Sequence, residues 1–441
     1  MLRSPEVNLP FSPANTPAPA AGLMLTSPDT GIAAAADLPA PVPDRSARVR
    51  VAIVGTVGLP SRYGGFETLA RYLVEYLGDE FDFTVYCSGP DYRERPREYK
   101  GARLVYISLR ANGAQSVPYD LCNYLHAWMH CDVLLVLGCS GTLALGLGRL
   151  LGKPSILNIG GLEWQRSKWG RLASNFLRIS EWAGVLAADQ VVSDNIGITY
   201  HLRKAYKRTS NLIEYGGDHV SAPVITEALA AKYPFLKGRY AFALARIQPD
   251  NNPELVLQAF NQVPEMDLVF IGTWDRSEYG RDLKRRYHGF PNLRLLEAIY
   301  DPEELNVIRG NCSLYVHGHS AGGTNPALVE AMYIGLPIAS FDVAYNRATT
   351  ENSVRYFRNV ATLAGLIIQV EQAEWDAQRP VVRAIAVRRY GWKRIVEEYG
   401  RLFRLAGARA VSRRQAAPAG MLRRGLDILF RRSRPAAADP S

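Results

Sequence analysis

Residues 314–332 read LYVHGHSAGGTNPALVEAM, and this stretch decides the fold. Leu314 to His317 are apolar or aromatic enough for a short buried strand. Gly318 to Thr324 is a loop of glycine and small polar residues. Asn325 suits an N-cap and Pro326 the first helical position. The pattern predicts a helix over Pro326–Ile334, ended by Gly335. A strand, glycine loop and helix in this order aims free backbone N–H groups and the positive end of a helix dipole at one point. The glycines let a bulky anion approach the backbone. Glu330 lies about one turn into the helix, where it would repel a phosphate. Its natural partners are a pair of hydroxyls, such as those of a ribose, and its carboxylate is expected to be unpaired in the empty protein. The unit reads as a nucleotide diphosphate site. The alternative is an ordinary βα turn whose glycines serve only geometry.

A second such unit lies near the start of the ordered chain. Val49–Val54 is an apolar, β-branched run typical of a buried strand. It leads into GTVGLPSRYGGFETLARYLVEYL, where Gly64 and Gly65 precede a helix over about 66–77. The spacing GTVG is not the GxGxxG dinucleotide fingerprint. Strands then recur at about 83–88, 102–107, 133–137, 155–159 and 191–193, with intervening helices including 119–130. The alternation implies a parallel sheet with helices on both faces. The pattern restarts with a strand at 240–245, followed by ARIQPDNNPELVLQAF, where Asn252-Pro253 starts a helix. Further strands are read at 268–272, 292–296 and 337–341, with a loop over 342–351 and an amphipathic helix over 390–405.

GGTNPALVEAM resembles the C-terminal donor-site motif of the GT4-type retaining glycosyltransferases. GTVGLPSRYGGFETLA and the segment GLEWQRSKW from Gly161 resemble a bacterial subgroup of that family containing rhamnosyltransferase-like enzymes of polysaccharide synthesis. The resemblance implies an α/β fold of GT-B architecture, in which two Rossmann-like domains face a cleft. It implies a retaining transfer of sugar, rhamnose or another hexose, from a nucleotide-diphosphate sugar to a lipid-linked glycan acceptor. It implies that Arg246 and Glu330 are catalytic, that Gly64, Gly65, Asn251, Gly322, Gly323, Thr324 and Asn325 bind the donor, and that Glu163, Arg166 and Lys168 line the acceptor side of the cleft. Two departures stand out. Gly322 occupies the place of the broad family's first acidic residue, and Asn251 that of its lysine. Arg246 must therefore carry more of the diphosphate charge. Trp164 and Trp169 either stack on a sugar face or pack against a helix. His126, His130, His317 and His319 are weak candidates for an acceptor base.

Length and composition fit this organisation. The 441 residues allow two domains and tails. The expected extents are a disordered tail over 1–47, an acceptor-side domain over 48–217, a donor domain over 218–388, a helix crossing back to the first domain over 389–408 and a basic tail over 409–441. No run of about 18 apolar residues is present, so no spanning helix is expected, and no secretory signal is read at the start. Five cysteines without CxxC spacing point to reduced thiols in a cytoplasm. The net charge of +10 is concentrated at the C-terminus without any nucleic-acid module, so no nucleic-acid partner is expected. There MLRRGLDILFRR places Leu422, Leu426 and Leu429 on one helical face. It reads either as a peripheral anchor on the anionic inner face of the membrane or as a disordered basic tail. No Asp-x-Asp occurs, and neither metal nor cofactor is expected. Three functions compete: a sugar transferase, a nucleotide-sugar epimerase of similar fold, and a noncatalytic nucleotide-sugar binding protein.

Overall fold

The computed structural model describes residues 48–61, 64–166 and 169–416, with side chains described to residue 408. The expectations for residues 1–47 and for the leucine face of the basic tail lie outside this range.

Apolar, β-branched runs build two sheets. The first contains β1 (Val49–Val54), β2 (Phe81–Ser88), β3 (Glu98–Tyr99), β4 (Ala102–Ile107), β5 (Val133–Leu137), β6 (Ser155–Asn158), β7 (Gln190–Ser193) and β8 (Asn211–Leu212), in the order β3-β4-β2-β1-β5-β6-β7-β8. All pairs are parallel except the short edge pair β3–β4. The second contains β9 (Tyr240–Ala245), β10 (Asp267–Gly272), β11 (Leu293–Glu297), β12 (Leu314–His317), β13 (Ile338–Phe341) and β14 (Arg355–Phe357). It is wholly parallel, in the order β11-β10-β9-β12-β13-β14. Helices cover both faces of each sheet, so the central strands are buried throughout, as β5 (VLLVL) is.

Both sheets are doubly wound, and this positions the site. In the first, the chain proceeds outward from β1 and then returns to its other side at β5. In the second, it does the same between β9 and β12. Loops leaving the carboxyl ends of such strand pairs diverge and leave a crevice. The glycine turn after β1, the Arg246–Asn252 segment after β9 and the Gly318–Asn325 loop after β12 all start there.

The last helix, Trp392–Ala416, packs on the first sheet and on the helix Gly65–Leu77. Ile395, Tyr399, Leu402, Phe403 and Ala406 recur at helical spacing and join Val51, Leu73, Phe81 and Phe83 in one core. Phe403 meets Phe81 edge-on at 5.4 Å, and Tyr72 stacks on Trp392 at 4.3 Å.

The structure bears out one sequence expectation, corrects a second and adds a helix. Asn252-Pro253 starts the helix Pro253–Asn261 as read, although the Asn252 side chain makes no capping bond. Asn252 sits in the left-handed region at φ 49°, and its Nδ2 donates to the Gly318 carbonyl at 2.9 Å, binding two site loops together. The segment 342–351 holds a helix, Ala344–Thr349, anchored where Asn346 Nδ2 donates to the carbonyls of His319 and Phe341, each at 2.9 Å. A long helix, Arg171–Ala187, was not read from the sequence at all. Its buried side mixes Leu177 and Val185 with Ser180 and Glu181.

Candidate active site

The quoted stretch folds as its residue types dictate. β12 is fully buried, Asn325 Oδ1 accepts the Ala327 N–H at 3.1 Å, Pro326 follows, and Gly335 ends the helix at φ 80°. Two glycines in the loop are required. Gly322 lies at φ 133°, and a Cβ on Gly323 would stand 2.0 Å from Asp194 Oδ1.

Glu330 is not unpaired. Arg309, itself buried, donates Nη1 to Glu330 Oε2, and its Nη2 reaches Asn306 Oδ1 at 2.5 Å. His219 Nε2 lies 3.2 Å from Glu330 Oε1, and Trp392 Nε1 donates to His219 Nδ1 at 3.0 Å. An indole only donates, so Nδ1 must accept, which leaves the proton of a neutral imidazole on Nε2 to donate to the carboxylate. Burial pushes the Glu330 carboxyl up, but Arg309 and His219 outweigh it and hold it below its ordinary value. The expectation of an unpaired carboxylate fails because helix Pro302–Gly310 and the chain leading into the second half both present donors to it. Each carboxylate oxygen still has a second lone pair for a ligand hydroxyl.

Arg246 follows β9 with an exposed side chain and no ion pair among the described residues. It lies close enough to Glu67 and His319 to bias both electrostatically. Asn251 is buried, and its Nδ2 donates to the Arg246 carbonyl at 2.7 Å, so it shapes the turn that presents the arginine. Ser320 ties the neighbouring loop to this one through N–H and Oγ bonds to the Asp250 carbonyl at 2.9 and 2.8 Å. His317 and His319 stack at 4.5 Å. Burial pushes His317 down to about 3. Burial, then His317, Arg246 and Arg166, push His319 well down. Both are neutral near pH 7, and His319 Nδ1 is buried without a partner.

The first half supplies the facing wall. Gly64 lies at φ 122°, and a Cβ there would stand 1.9 Å from Glu67 Oε2. Glu67 Oε1 accepts the Val57 N–H at 2.7 Å, closing the turn after β1. Burial pushes this carboxyl up against the pull of that N–H and of Arg246. Across the cleft, a Cβ on Gly65 would be 3.4 Å from Pro326 Cγ, and one on Gly161 would be 3.0 Å from Gly322 Cα. Thr324 Oγ1 donates to the Asp194 carbonyl, and Asn195 Nδ2 lies 3.4 Å from Thr324 Oγ1. Burial pushes the Asp194 carboxyl well up, and its Oδ1 has no hydrogen-bond partner among the described residues. Glu163 and Arg166 form an ion pair at 2.7 Å, and Trp169 Nε1 donates to Glu163 Oε1 at 3.2 Å. Lys168 lies outside the described residues. Trp164 packs under Arg178, whose guanidinium sits 5.7 Å from the ring centroid.

The two halves thus bring Gly64, Gly65 and Arg166 to Arg246 and to Gly322, Gly323, Thr324 and Asn325. Glu330 lies one turn behind that loop. The sequence reading missed Arg309, His219, Glu67, Asp194 and Asn195. Asp194 and Asn195 carried a signal, since they directly follow β7 at the carboxyl edge of a parallel sheet. Glu67 stood inside the YGGFE turn.

Comparison with known proteins identifies the fold and the family of the second half. Residues 225–381 match the family Glycosyl transferases group 1, and residues 48–218 match Domain of unknown function (DUF1972). Sucrose-phosphate synthase from Thermosynechococcus elongatus superposes with a TM-score of 0.69 at 18% identity, covering 82% of this chain and 100% of that one. Anabaena HepE in complex with UDP-glucose gives 0.62 at 12% identity, covering 80% and 98%. The E. coli trehalose-6-phosphate protein bound with UDP-2-fluoro glucose gives 0.59 at 12% identity, also covering 80% and 98%. No protein of curated function matches the sequence. The architecture is GT-B. The protein is a glycosyltransferase, with its group 1 domain in the second half.

Proposed function

We propose that the protein moves a sugar, rhamnose or another hexose, from a nucleotide-diphosphate donor to a lipid-linked glycan during bacterial polysaccharide synthesis, at the inner face of the cytoplasmic membrane. The observation that carries this reading is the meeting of Arg246 and the Gly318–Asn325 loop at the switch point of the second sheet. An exposed guanidinium without an ion pair among the described residues stands there beside a glycine loop and a helix N-terminus. Those groups suit a diphosphate: the guanidinium pairs with its charge, and the loop N–H groups and helix dipole take the oxygens. Gly322 and Gly323 admit it to the backbone, with Thr324 and Asn325 bordering it and Gly64 and Gly65 closing over it. Asn251 holds Arg246 in place through its carbonyl. Glu330, oriented by Arg309 and His219, accepts hydrogen bonds from the ribose hydroxyls. Glu163, Arg166 and Lys168 border the acceptor.

In this mechanism the bond from the anomeric carbon to the diphosphate oxygen breaks with its electron pair passing to that oxygen, and the acceptor oxygen bonds to the carbon as its proton passes to the departing diphosphate. Configuration is retained, and fixed dipoles and Arg246 stabilise the departing diphosphate without a metal ion. The purified protein, offered a panel of nucleotide sugars, is expected to release nucleoside diphosphate only when a lipid-linked glycan is present. Sugar isomerisation without acceptor, or binding of donors without turnover under any acceptor, would overturn the reading.

A further inference from the structure

Three helices cover one face of the first sheet: Ser116–His130, Leu145–Leu150 and Arg171–Ala187. Their inner residues, among them Tyr124, Trp128, Leu145 and Val185, share a core with Ala52 and Leu134. They also touch one another. The second packs on the third, and a Cβ on Gly148 would stand 2.6 Å from Trp128 Nε1 of the first.

The outer side of this layer is apolar. Arg171–Ala187 buries two polar residues beside Leu177 and Val185 and turns large apolar residues outward. Ser180 and Glu181 are 0% and 1% exposed, whereas Leu172, Ile179 and Trp182 are 88%, 55% and 50% exposed. Leu172, Phe176, Ile179 and Leu186 recur at helical spacing, so they form one outward stripe. The inward polar groups are satisfied: Glu181 accepts from Tyr206 at 2.7 Å and pairs with His201 at 3.0 Å, and Ser180 Oγ lies 3.1 Å from Thr142 Oγ1. The orientation of the helix is therefore fixed by the fold. The neighbouring helix and its end add Leu147, Leu150 and Leu151, with Leu150 85% exposed, and the first helix adds Leu121, Leu125 and Met129. A contiguous apolar surface of this kind marks an interaction site.

The charges on the same helices name the partner. Arg149, Arg171 and Arg178 are exposed, while the two acidic residues of the three helices, Asp120 and Glu181, are buried. An apolar field carrying cations and no exposed carboxylate is complementary to an anionic lipid surface, in which the stripe enters the acyl boundary and the arginines meet headgroups. No described helix is long and apolar enough to cross a membrane, so the layer would lie in the interface plane.

We infer that this three-helix face docks the protein on anionic membranes. The helix Arg171–Ala187 starts directly after the segment carrying Glu163 and Arg166, and Ser174 Oγ donates to the Trp164 carbonyl within that segment. A docked face would set that side of the cleft against the bilayer. The docking can be measured without donor or acceptor, so its failure leaves the proposed transfer standing, and the failure of the transfer assay leaves docking standing.

The test is flotation of the full chain with phosphatidylglycerol-containing vesicles and with pure phosphatidylcholine vesicles. The wild type is expected to float with the former. Leu172→Glu with Phe176→Glu should lose about tenfold or more in partitioning, with an unchanged melting temperature because both side chains are exposed. Arg149→Gln with Arg171→Gln should lose the preference for anionic lipid. Trp182→Phe, a mild change, should remove much of the fluorescence quenching by brominated lipid. Three results would overturn the inference: a wild type that does not float, glutamate variants that float as well as the wild type, or a lipid-free dimer in sedimentation that the glutamate variants abolish. The last would make the face an interface between copies.

Discussion

Two carboxylates flank the glycine loop of the second half, and their surroundings drive them in opposite directions. Glu330, one turn into the helix, is met by the Arg309 guanidinium and the His219 imidazole and is held below its ordinary value. Asp194 reaches in from the first half against Gly323, has a buried Oδ1 without a partner, and is pushed well above its ordinary value. The contrast shows that burial alone does not set the state of a carboxyl group. The donors that accompany it do. It also divides the site into an acid behind the loop whose charge is favoured by its partners and an acid at its front whose charge is disfavoured by burial.

Arg309→Met is the sharpest way to break the contrast. Removing one partner from a buried pair leaves an uncompensated charge and typically costs about 3–5 kcal/mol. Urea melts should show a loss of this order, and Glu330 should then behave more like Asp194, with its carboxyl shifted up. For the same reason Glu330→Gln is expected to lower stability, which reverses the expectation drawn from the sequence. A melting curve unchanged in both variants would mean that the pair contributes nothing.

Arg246→Ala tests the cation that has no such partner. The side chain is exposed and makes no ion pair among the described residues, so stability should change little. Binding of a nucleoside diphosphate should weaken by about 1.5–3 kcal/mol, the range of a hydrogen bond to a charged group, or roughly tenfold or more. Titration calorimetry with the diphosphate and with the bare nucleoside separates the roles. Equal losses for both ligands would assign Arg246 to folding rather than to phosphate binding.

How far these features were legible in the sequence depended on whether their cause was local. The turn from β12 through Asn325 to Gly335 was legible because a cap, a proline and a terminating glycine act within a few residues of one another. The strands β1, β4, β5 and β9 were legible as apolar runs. Glu330 could be placed on its helix, but its partners could not, since Arg309 and His219 arrive from other elements only when the chain folds. Asp194 belongs to the other half altogether. Asn252-Pro253 marked the start of its helix, but the tie from Asn252 to Gly318 was not legible, because its partner arrives from another loop. The helix Arg171–Ala187 escaped because its apolar residues lie on both sides: Leu177 and Val185 are buried with Ser180 and Glu181, while Leu172, Ile179 and Trp182 are exposed, so no single apolar stripe stands out.

Asp194→Asn carries the smallest expected effect and the most diagnostic sign. A carboxyl whose folded value is raised above the ordinary 3.8 binds its proton more tightly in the native state than in the unfolded chain. Its ionisation therefore works against folding. Stability is unaffected below about pH 3.8 and falls as pH rises from there toward the folded value, where the penalty levels off. Glu330 acts in the opposite sense: its stabilisation is present above the ordinary 4.5 and is lost as pH falls through its lowered folded value. Asparagine keeps the shape of Asp194 and cannot ionise, so the variant should be more stable than the wild type near neutral pH and equal to it in acid. Thr324 tempers the gain, because its backbone N–H favours the ionised Asp194 and offsets part of the burial. Melting temperatures of the two proteins, taken from about pH 4 to about pH 8, should diverge steadily as pH rises. Parallel curves would show that Asp194 titrates alike in both states. Curves that diverge with the variant less stable would show that its carboxylate is ionised and held by a donor, as Glu330 is.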